Sequence, residues 1–370
     1  MENSPTKTVL ILANKETTII QFRLEVVTAL VKAGYRVIVS TPLGTRISEI
    51  EAVGAKVIET KLEKDSTDPV KDFLLMLHYR KLMQETKPDV VLTYTIKPNV
   101  YGAMAAGSLK IPCVANITGL GTALAGRGLL HEVALTLYKV GFSYISKVFF
   151  QNEENMHFFV DNKIAIGKHE LLPGSGVNLS RFSLMEYPAD DAINFAFISR
   201  IRKEKGIEQY VDLARFMKDK YPDTNFHVCG YGSEEYESYM KQLQEEKIII
   251  YHGFIKDVRE TLKNIHCVVH PTYYPEGMSN TLLESAASGR PIISTDRAGT
   301  REIIDDGMNG YLIKEQDSED LIEKVERFVN LSYEQKREMG LKGREKVARE
   351  FDRNIIVERY LKTVAELINQ

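Results

Sequence analysis

Short apolar runs alternate with longer amphipathic segments from one end of the chain to the other. The runs are continuous rather than alternating, which is typical of strands buried on both faces of a parallel sheet. The segments between them have helical spacing; residues 19–34, for example, are expected to form one helix that Gly34 closes. The predicted strands are residues 8–13, 35–40, 56–59, 89–94, 112–116 and 147–151, followed by 194–199, 225–230, 247–253, 267–270 and 291–295.

These strands form two sets, and the division falls near residues 178–191. A chain of 370 residues is long for one ordinary core. We therefore predict an α/β protein with two Rossmann-like, doubly wound domains that face each other across a cleft. The domains are residues 1–183 and 184–353, and a last helix at 354–370 is expected to pack back on the first domain. Because ligands bind at the carboxyl ends of parallel strands, the site is expected in the cleft.

The composition is that of a soluble globular protein, with 44% hydrophobic and 27% charged residues. No apolar stretch approaches the ~20 residues that cross a bilayer, and the N-terminus lacks the features of a signal peptide. Cys113, Cys229 and Cys267 are far apart in apolar segments. Buried, reduced thiols in a cytoplasmic protein are therefore expected.

The net charge of −3 is unevenly distributed, at +4 for residues 1–183 (21 basic, 17 acidic) and −7 for residues 184–370 (27 basic, 34 acidic). Between residues 97 and 147, one acid, Glu132, accompanies Lys97, Lys110, Arg127, Lys139 and Lys147. This basic stretch suits an anionic membrane surface or a phosphorylated substrate, and a solvated helix face explains it equally well. Nucleic acid is not an expected partner, because no basic cluster is dense enough to follow a phosphate backbone.

A loop and a helix start are predicted at PEGMSNTLLESAASG, residues 275–289, between two strands. The first turn of a helix has free N–H groups and the positive end of the dipole, which bind anions, and Gly277 permits close approach of a ligand. Glu276 and Glu284 are eight positions apart in this segment. Thr281 and Glu284 also have the spacing of a capping box, which would stabilise the helix without a ligand. That alternative does not account for Glu276.

A basic turn, SRIRKEKG at residues 199–206, follows another predicted strand and precedes a helix expected to start at Gly206. Arg200 and Lys205 can both reach the carboxyl edge of the sheet. Two fixed cations at that place suit a diphosphate whose negative charge grows as it leaves. The alternative is a solvated basic loop without a ligand.

Together, SRIRKEKG and PEGMSNTLLE resemble the retaining glycosyltransferases of family 4, which have the GT-B fold. Residues 252–258 (HGFIKDV) and 299–313 are similar to the same family, so the resemblance covers essentially the whole C-terminal half. It implies that Arg200 and Lys205 hold the donor diphosphate, that Glu284 binds the ribose, and that Glu276 contacts the donor hexose. Further donor-binding residues implied by it are Gly277, Met278, Ser279, Asn280, Thr281, Gly230 and Gly232, with Phe254 and Ile255 beside the base.

The N-terminal half, especially residues 93–124, resembles the branch that builds bacterial capsule, O-antigen and lipid-linked oligosaccharides. That branch adds a sugar to an undecaprenyl-diphosphate-linked acceptor at the cytoplasmic face of the plasma membrane, so the basic stretch would lie against the membrane. Many members carry a histidine near the reacting sugar, whereas this chain reads NITGLG there, and no general base is assigned. Two loops, residues 14–18 and 117–121, are expected to face the acceptor. The acceptor-side residues are Asn14, Lys15, Thr17, Thr18, Asn116, Thr118, Gly119 and Gly121.

The resemblance implies front-face transfer with retention, in which the departing diphosphate oxygen helps to deprotonate the acceptor. Glu276 and Glu284 do not fit the carboxylate pair of a retaining glycosidase, because they are assigned to different parts of one donor. The chain contains no Asp-x-Asp sequence, so no metal or other cofactor is expected. The donor is expected to be a UDP-linked hexose or N-acetylhexosamine. The alternatives are a nucleotide-sugar epimerase on the same fold and a non-catalytic partner that binds nucleotide sugar.

Overall fold

The chain divides into two units, each with its own hydrophobic core. The computed structural model describes residues 6–61, 68–121, 124, 126, 128–189, 191–275 and 277–369. The first unit comprises Met1–Gly176 and Arg353–Gln370, and the second comprises Val177–Asp352. The division lies at 176/177 rather than at 183/184. The reason is that Val177 already pairs with Asp352, and its N–H donates to the carbonyl oxygen of Phe351 at 2.8 Å.

The first unit is built on a parallel sheet of seven strands. They are β1 (Thr8–Leu12), β2 (Arg36–Thr41), β3 (Lys56–Glu59), β4 (Val90–Tyr94), β5 (Cys113–Ile117), β6 (Lys147–Phe150) and β7 (His169–Leu171). Their order is β3-β2-β1-β4-β5-β6-β7. Every residue of β1, β4 and β5 is buried, which is why their apolar runs are continuous. The edge strand β7 was not predicted, because its three residues are only partly buried or exposed.

Helices cover both faces of this sheet. They are α1 (Glu16–Phe22), α2 (Leu24–Lys32), α3 (Ile47–Glu51), α4 (Pro69–Thr86), a π-helical turn (Pro98–Gly102), α5 (Ala103–Ser108), α6 (Leu129–Gly141) and α7 (Glu153–Asp161). The prediction of one helix over residues 19–34 is wrong, because the backbone leaves the helical region at Arg23 (φ −137°). The break allows the Arg23 guanidinium to lie buried over the ring of Tyr94, 5.1 Å from its centroid.

The second unit is built on a parallel sheet of six strands. They are β8 (Ile193–Ile198), β9 (Thr224–Cys229), β10 (Ile250–Gly253), β11 (Cys267–His270), β12 (Ile292–Thr295) and β13 (Gly310–Ile313). Their order is β10-β9-β8-β11-β12-β13. The prediction did not include β13, and it began β10 three residues too early, at 247 rather than 250.

The strands of the second unit are connected by a 3₁₀ turn (Lys203–Lys205), α8 (Ile207–Lys220), α9 (Glu234–Glu245), α10 (Val258–Leu262) and α11 (Asn280–Ala287), and α12 (Ser318–Val329) and α13 (Tyr333–Glu350) follow β13. Each sheet starts in its middle and grows first to one edge and then to the other, which is the Rossmann arrangement. The prediction of two Rossmann-like, doubly wound domains is therefore confirmed. Cys113, Cys229 and Cys267 are free and buried, as predicted.

The last helix, α14 (Arg353–Ile368), belongs to the first unit. Ile356 and Val364 are buried in the core that α1 and α2 share with the sheet. Two polar contacts fix its position: Arg353 donates to the Glu25 carboxylate at 3.0 Å, and the Asn116 amide donates to the Tyr360 hydroxyl at 2.8 Å.

Candidate active site

The two motifs of the C-terminal half meet at the topological switch point of the second unit. β8 and β11 are neighbouring parallel strands, and the chain leaves them in opposite directions across the sheet. Residues 199–206 follow β8, and residues 271–275 and 277–279 follow β11, so both loops lie at the carboxyl edge, where open α/β sheets bind ligands. The Tyr273 N–H and the Thr272 hydroxyl both donate to the carbonyl oxygen of Glu204, at 2.9 and 3.3 Å. These bonds hold the two loops together.

Gly206 determines how closely the loops pack. Its φ of 79° lies in the left-handed region, and a Cβ atom there would lie 2.1 Å from the carbonyl oxygen of Pro271. Glycine is the residue that satisfies both conditions. α8 therefore begins at Ile207, with Gly206 as its N-cap, and not at Gly206 as predicted.

Lys205 is the buried cation of this edge. Its side chain is 6% exposed, and its Nζ lies 4.7 Å from the ring centroid of Tyr274, which is a cation–π geometry. His270, the last residue of β11, is also buried, and burial together with the Lys205 charge lowers the pKa of His270 to about 3. The imidazole is therefore neutral at physiological pH. The alternative interpretation of residues 199–206 as a solvated basic loop is wrong for Lys205, because this side chain is buried.

Arg200 is exposed and lines an open pocket of about 440 Å³ together with Tyr231 and Gly232. The next basic residue, Arg202, is also exposed and lies 3.6 Å from the Glu204 carboxylate. The basic turn thus combines a buried ammonium with solvent-facing guanidinium groups, an arrangement that can hold a polyanion. Among the described residues, no three His, Cys, Asp or Glu side chains are grouped to hold a metal ion.

The helix after the second motif, α11, begins at Asn280 with Ser279 as an extended N-cap. Thr281 already lies inside the helix, whereas a capping box requires the threonine at the N-cap itself. The capping-box interpretation of Thr281 and Glu284 is therefore wrong. Glu284 lies half-buried in the second turn of α11 and not, as expected, at about the first.

The residues that precede α11 are buried and are bound to the loop after β12. Gly277, Met278 and Ser279 are buried, and the Ser279 N–H donates to the carbonyl oxygen of Gly299 at 2.8 Å. The side-chain oxygen of Asn280 is buried without a hydrogen-bond partner in the described part of the chain, so a ligand donor can satisfy it. Glu276 lies outside the described residues, and its contact with the hexose stays a prediction.

Two glycines place the loop after β9 against the basic turn. A Cβ atom at Gly230 would lie 1.8 Å from the carbonyl oxygen of Ser199, and one at Gly232 would lie 2.7 Å from that of Ile201. Phe254 and Ile255 follow the neighbouring strand β10 at the same edge. The structure thus brings the described donor-binding candidates together around the carboxyl ends of β8 to β11.

Sequence reasoning missed three residues of this edge: His270, Tyr274 and Tyr231. His270 ends an apolar run, Tyr274 stands two positions before Glu276, and Tyr231 lies between two glycines. Their position beside the motifs was the only signal. His270 is buried near Lys205, Tyr274 contacts Lys205, and Tyr231 contacts Phe254. These relations arise from the fold and cannot be read from the sequence.

The first group of predicted acceptor residues lies at the carboxyl end of β1. Asn14 and Lys15 form the turn after the strand. Thr17 and Thr18 belong to the first turn of α1 and not to a loop, because the helix begins at Glu16. Contact of these residues with an acceptor stays a prediction.

The second group lies at the end of β5. Asn116 is a strand residue, 1% exposed, whose amide group is engaged by Tyr360. Thr118, Gly119 and Gly121 follow the strand, and both glycines have positive φ values, 142° and 69°. Thr118 is exposed, so it is the member of this group whose side chain is accessible to an acceptor.

The basic stretch over residues 97–147 is less cationic than its sequence indicates. Lys97 pairs with Asp72 at 2.7 Å, and Lys147 pairs with Glu170 at 2.8 Å. Both carboxylates come from outside the stretch, which is why its sequence did not reveal them. Lys110 and Lys139 are exposed, and Arg127 lies outside the described residues.

An apolar surface lies on the same stretch instead. Leu129, Val133 and Val140 of α6 are 82%, 47% and 56% exposed, and their spacing places them on one face of the helix. Leu130, 58% exposed, extends this α6 surface at its start. No helix in the described ranges is both long enough and apolar enough to span a bilayer.

Two Rossmann-like units in one chain are the architecture of the GT-B fold. The chain belongs to the glycosyl transferase families of this architecture. Residues 8–152 match the family model described as glycosyl transferase 4-like, and residues 186–346 match the model described as glycosyl transferases group 1. The two matches lie in the first and the second unit respectively.

Two relatives illustrate the likeness in sequence. The Campylobacter jejuni N,N'-diacetylbacillosaminyl-diphospho-undecaprenol alpha-1,3-N-acetylgalactosaminyltransferase is 26% identical over 96% of this chain and 98% of its own length. The Escherichia coli UDP-Gal:alpha-D-GlcNAc-diphosphoundecaprenol alpha-1,3-galactosyltransferase is 22% identical over 70% of each chain.

Solved structures show the same fold. HepE of Anabaena, crystallised in complex with UDP and glucose, aligns over 97% of this chain and all of its own, with a TM-score of 0.79 and 15% identity. A glycosyltransferase from Rickettsia africae aligns over 99% of both chains, with a TM-score of 0.81 and 16% identity. At this level of identity the likeness concerns the fold alone.

Proposed function

We propose that this glycosyltransferase transfers a hexose or N-acetylhexosamine from a UDP-linked donor to an undecaprenyl-diphosphate-linked saccharide, with retention and without a metal ion. The observation that carries the proposal is the pair of loops at the switch point of the second unit. There Lys205 is buried beside Tyr274, and α11 begins at the same edge.

A diphosphate is the anion that this edge suits best. The buried Lys205 ammonium is weakly screened by solvent, and the Arg200 guanidinium can bind two phosphate oxygens at once. The first-turn N–H groups of α11 add the positive end of a helix dipole. Negative charge grows on the diphosphate as the sugar leaves, so these groups stabilise the transition state more than the bound donor. Glu276 and Glu284 are assigned to the hexose and the ribose of this donor.

The acceptor assignment rests on the relatives. The names of the Campylobacter and Escherichia enzymes both specify a sugar on diphospho-undecaprenol, and the first aligns along nearly the whole of this chain. The first unit (Met1–Gly176 and Arg353–Gln370) is accordingly proposed to bind the acceptor, and the second unit (Val177–Asp352) the donor. This role suits the assembly of a bacterial surface polysaccharide or lipid-linked glycan.

The chemistry requires little from protein acids and bases. The bond between C1 of the sugar and the diphosphate oxygen breaks, and the acceptor oxygen forms a new bond to C1 on the same face. The acceptor proton passes to the departing diphosphate oxygen. Arg200 and Lys205 balance the charge that develops there, which is the role that a metal ion has in other transferases.

The purified protein, incubated with labelled UDP-, GDP- or ADP-sugars and a short polyprenyl-diphosphate saccharide, is expected to transfer one sugar from a UDP donor. NMR of the product is expected to show the anomeric configuration of the donor, and EDTA is expected to leave the rate unchanged. An inverted product would overturn retention, and a chelator-sensitive rate restored by Mg²⁺ would overturn metal independence. Donor alone serves as the control, since an epimer formed without acceptor would indicate the epimerase instead.

The enzyme is further proposed to work at the inner face of the plasma membrane, in contact with anionic lipid through the α6 surface. Exposed Leu129, Leu130 and Val133 offer an apolar area, and Lys139 lies on the same helix beside it. Burial of apolar side chains and attraction to anionic headgroups combine in such interfacial contacts.

Replacing Leu129 and Val133 by aspartate is expected to lower binding to vesicles of mixed anionic and neutral lipid by about tenfold or more, because partial burial of each side chain is lost. Co-sedimentation measures the bound fraction. A variant with aspartate at Ile166 and Met308, which are 59% and 55% exposed elsewhere, carries the same added charge and serves as the control. Equal losses in the two variants would contradict a specific role of the α6 surface.

A further inference from the structure

Four buried polar side chains of the first unit form one chain of hydrogen bonds. They belong to Thr93 of β4, Asn99 of the π-helical turn, Asn116 of β5 and Tyr360 of α14, and none of these residues is more than 2% exposed. The Thr93 hydroxyl donates to the side-chain oxygen of Asn99 at 2.8 Å. The Asn99 amide donates to the carbonyl oxygen of Asn116 at 2.9 Å, and the Asn116 amide donates to the Tyr360 hydroxyl at 2.8 Å. A satisfied buried network of this kind rigidifies the elements that it joins.

The chain of hydrogen bonds holds Asn116 through its backbone and through its side chain. The register of β4 and β5 ends at the pair Tyr94–Asn116, and there Asn99 adds its bond to the Asn116 carbonyl oxygen. The side-chain oxygen of Asn116 has no hydrogen-bond partner among the described residues, so the bond to Tyr360 orients the amide. The Tyr360 ring is itself packed, with its centroid 5.0 Å from that of Phe149. Two elements from different parts of the chain therefore fix the end of β5.

The residue held in this way precedes the loop that is expected to face the acceptor. Ile117 ends β5, and Thr118, Gly119 and Gly121 follow it. Both glycines have positive φ values, so their backbone is one that few other residues adopt and that glycine itself leaves readily. The position of the exposed Thr118, two residues after Asn116, therefore depends on how firmly the end of β5 is held.

The π-helical turn, Pro98–Gly102, is the other element at this edge that the network joins. Such turns are rare and are frequent at functional sites. This one is closely packed, since a Cβ atom at Gly141 of α6 would lie 3.0 Å from the carbonyl oxygen of Val100. Before it, Thr95 has a φ of 73°, which is strained for a β-branched residue. Both features follow β4, which adjoins β1 at the switch point of the first sheet.

We propose that Asn99, Asn116 and Tyr360 are positioning residues for the acceptor, which hold residues 118–121 in the geometry that receives the acceptor hydroxyl. The inference rests on the proposed function, since it takes the first unit to bind the acceptor. Asn116 then acts through the loop and not by contact with the acceptor, in keeping with its burial. α14 not only covers the sheet but also fixes the acceptor loop through Tyr360. Such precision matters because a misplacement of about 1 Å can cost about 10² in rate.

Tyr360→Phe removes one hydroxyl and leaves the ring. The variant is expected to lower kcat/KM for the acceptor by about tenfold, because the Asn116 amide loses the partner that orients it. The KM for the donor is expected to be unchanged, since the donor-binding residues belong to the second unit. Tyr79→Phe is the matched control: Tyr79 lies fully buried on α4, and its hydroxyl has no hydrogen-bond partner in the described part of the chain. Steady-state kinetics with varied acceptor is expected to show no change for this control.

Amide hydrogen exchange tests the same anchor without activity. Exchange at residues 117–121 is expected to be faster in Tyr360→Phe than in the wild type, and unchanged in Tyr79→Phe. Lower thermal stability of Tyr360→Phe with unchanged acceptor kinetics would overturn the positioning role, and so would exchange at residues 117–121 equal to that of the control. A wild-type protein that transfers no sugar to a polyprenyl-diphosphate saccharide, while exchange at this loop still responds to Tyr360→Phe, would overturn the proposed acceptor and leave the anchored loop in place.

Discussion

Replacing Lys205 by alanine is expected to lower kcat by about 10² or more, with the larger part of the effect in kcat rather than in KM. The side chain is 6% exposed, so its charge acts through a poorly screened environment beside Tyr274. The attraction between Lys205 and the diphosphate grows as the diphosphate gains negative charge. The variant therefore loses more stabilisation in the transition state than in the bound donor complex. Steady-state kinetics at saturating donor measures the change, with thermal unfolding to confirm that the variant is folded.

Arg200→Ala is expected to have a comparable effect on kcat, because a guanidinium at the pocket provides the second fixed charge. Lys241→Ala removes an exposed lysine from the C-terminal half of α9 and is the matched control, with kinetics close to those of the wild type. Normal turnover of either active-site variant at saturating donor would mean that the assigned cation does not stabilise the leaving diphosphate.

Gly206→Ala is expected to destabilise the second unit by about 3 kcal/mol or more. One part is the left-handed backbone, which costs about 1–2 kcal/mol for a residue with a Cβ atom. The other part is the contact with the carbonyl oxygen of Pro271, only 2.1 Å from that atom, and forced overpacking of this kind costs about 1–3 kcal/mol. Urea unfolding measures the loss. Donor affinity should fall as well, because relief of the clash separates the two loops of the site.

Gly307→Ala separates these two contributions. Gly307 has nearly the same backbone angle, φ 75° against 79°, and a Cβ atom there meets nothing within 4 Å. Gly307→Ala is expected to lower the free energy of unfolding by about 1–2 kcal/mol, the cost of the left-handed backbone alone, and to leave donor binding unchanged. Equal losses at the two positions would contradict the close packing of the loops at Gly206.

Most of the fold could be predicted from the chain alone. The run TVLILA was sufficient to predict β1, because every side chain of that strand is buried and a buried strand requires a continuous apolar run. The two missed strands, β7 and β13, are the ones that follow β6 and β12 at a sheet edge. The three residues of β7 are partly buried or exposed and form no continuous apolar run. The four residues of β13 are mostly buried, like those of the predicted strand β11, so its run GYLI was a signal that the prediction overlooked.

The candidate site could be predicted in part. Motif spacing placed Arg200, Lys205 and the start of α11 at one edge, because strands and the loops after them are local features. The same spacing suggested a capping box at Thr281, which the structure contradicts. It also could not distinguish the buried Lys205 from the exposed Arg200, since this difference arises from loops about 70 residues apart in sequence that the Tyr273–Glu204 hydrogen bond joins.

Local pattern was thus enough for the parallel sheets, the division into two Rossmann-like units and the motifs that follow β8 and β11. Long-range packing was needed for the break at Arg23, whose guanidinium stacks on Tyr94, and for the pairing of Lys97 with Asp72. It was equally needed for the burial of Lys205. The physical reason is common to all three: hydrophobic periodicity records how one element is buried, whereas the environment of a charge depends on which distant elements the fold brings beside it.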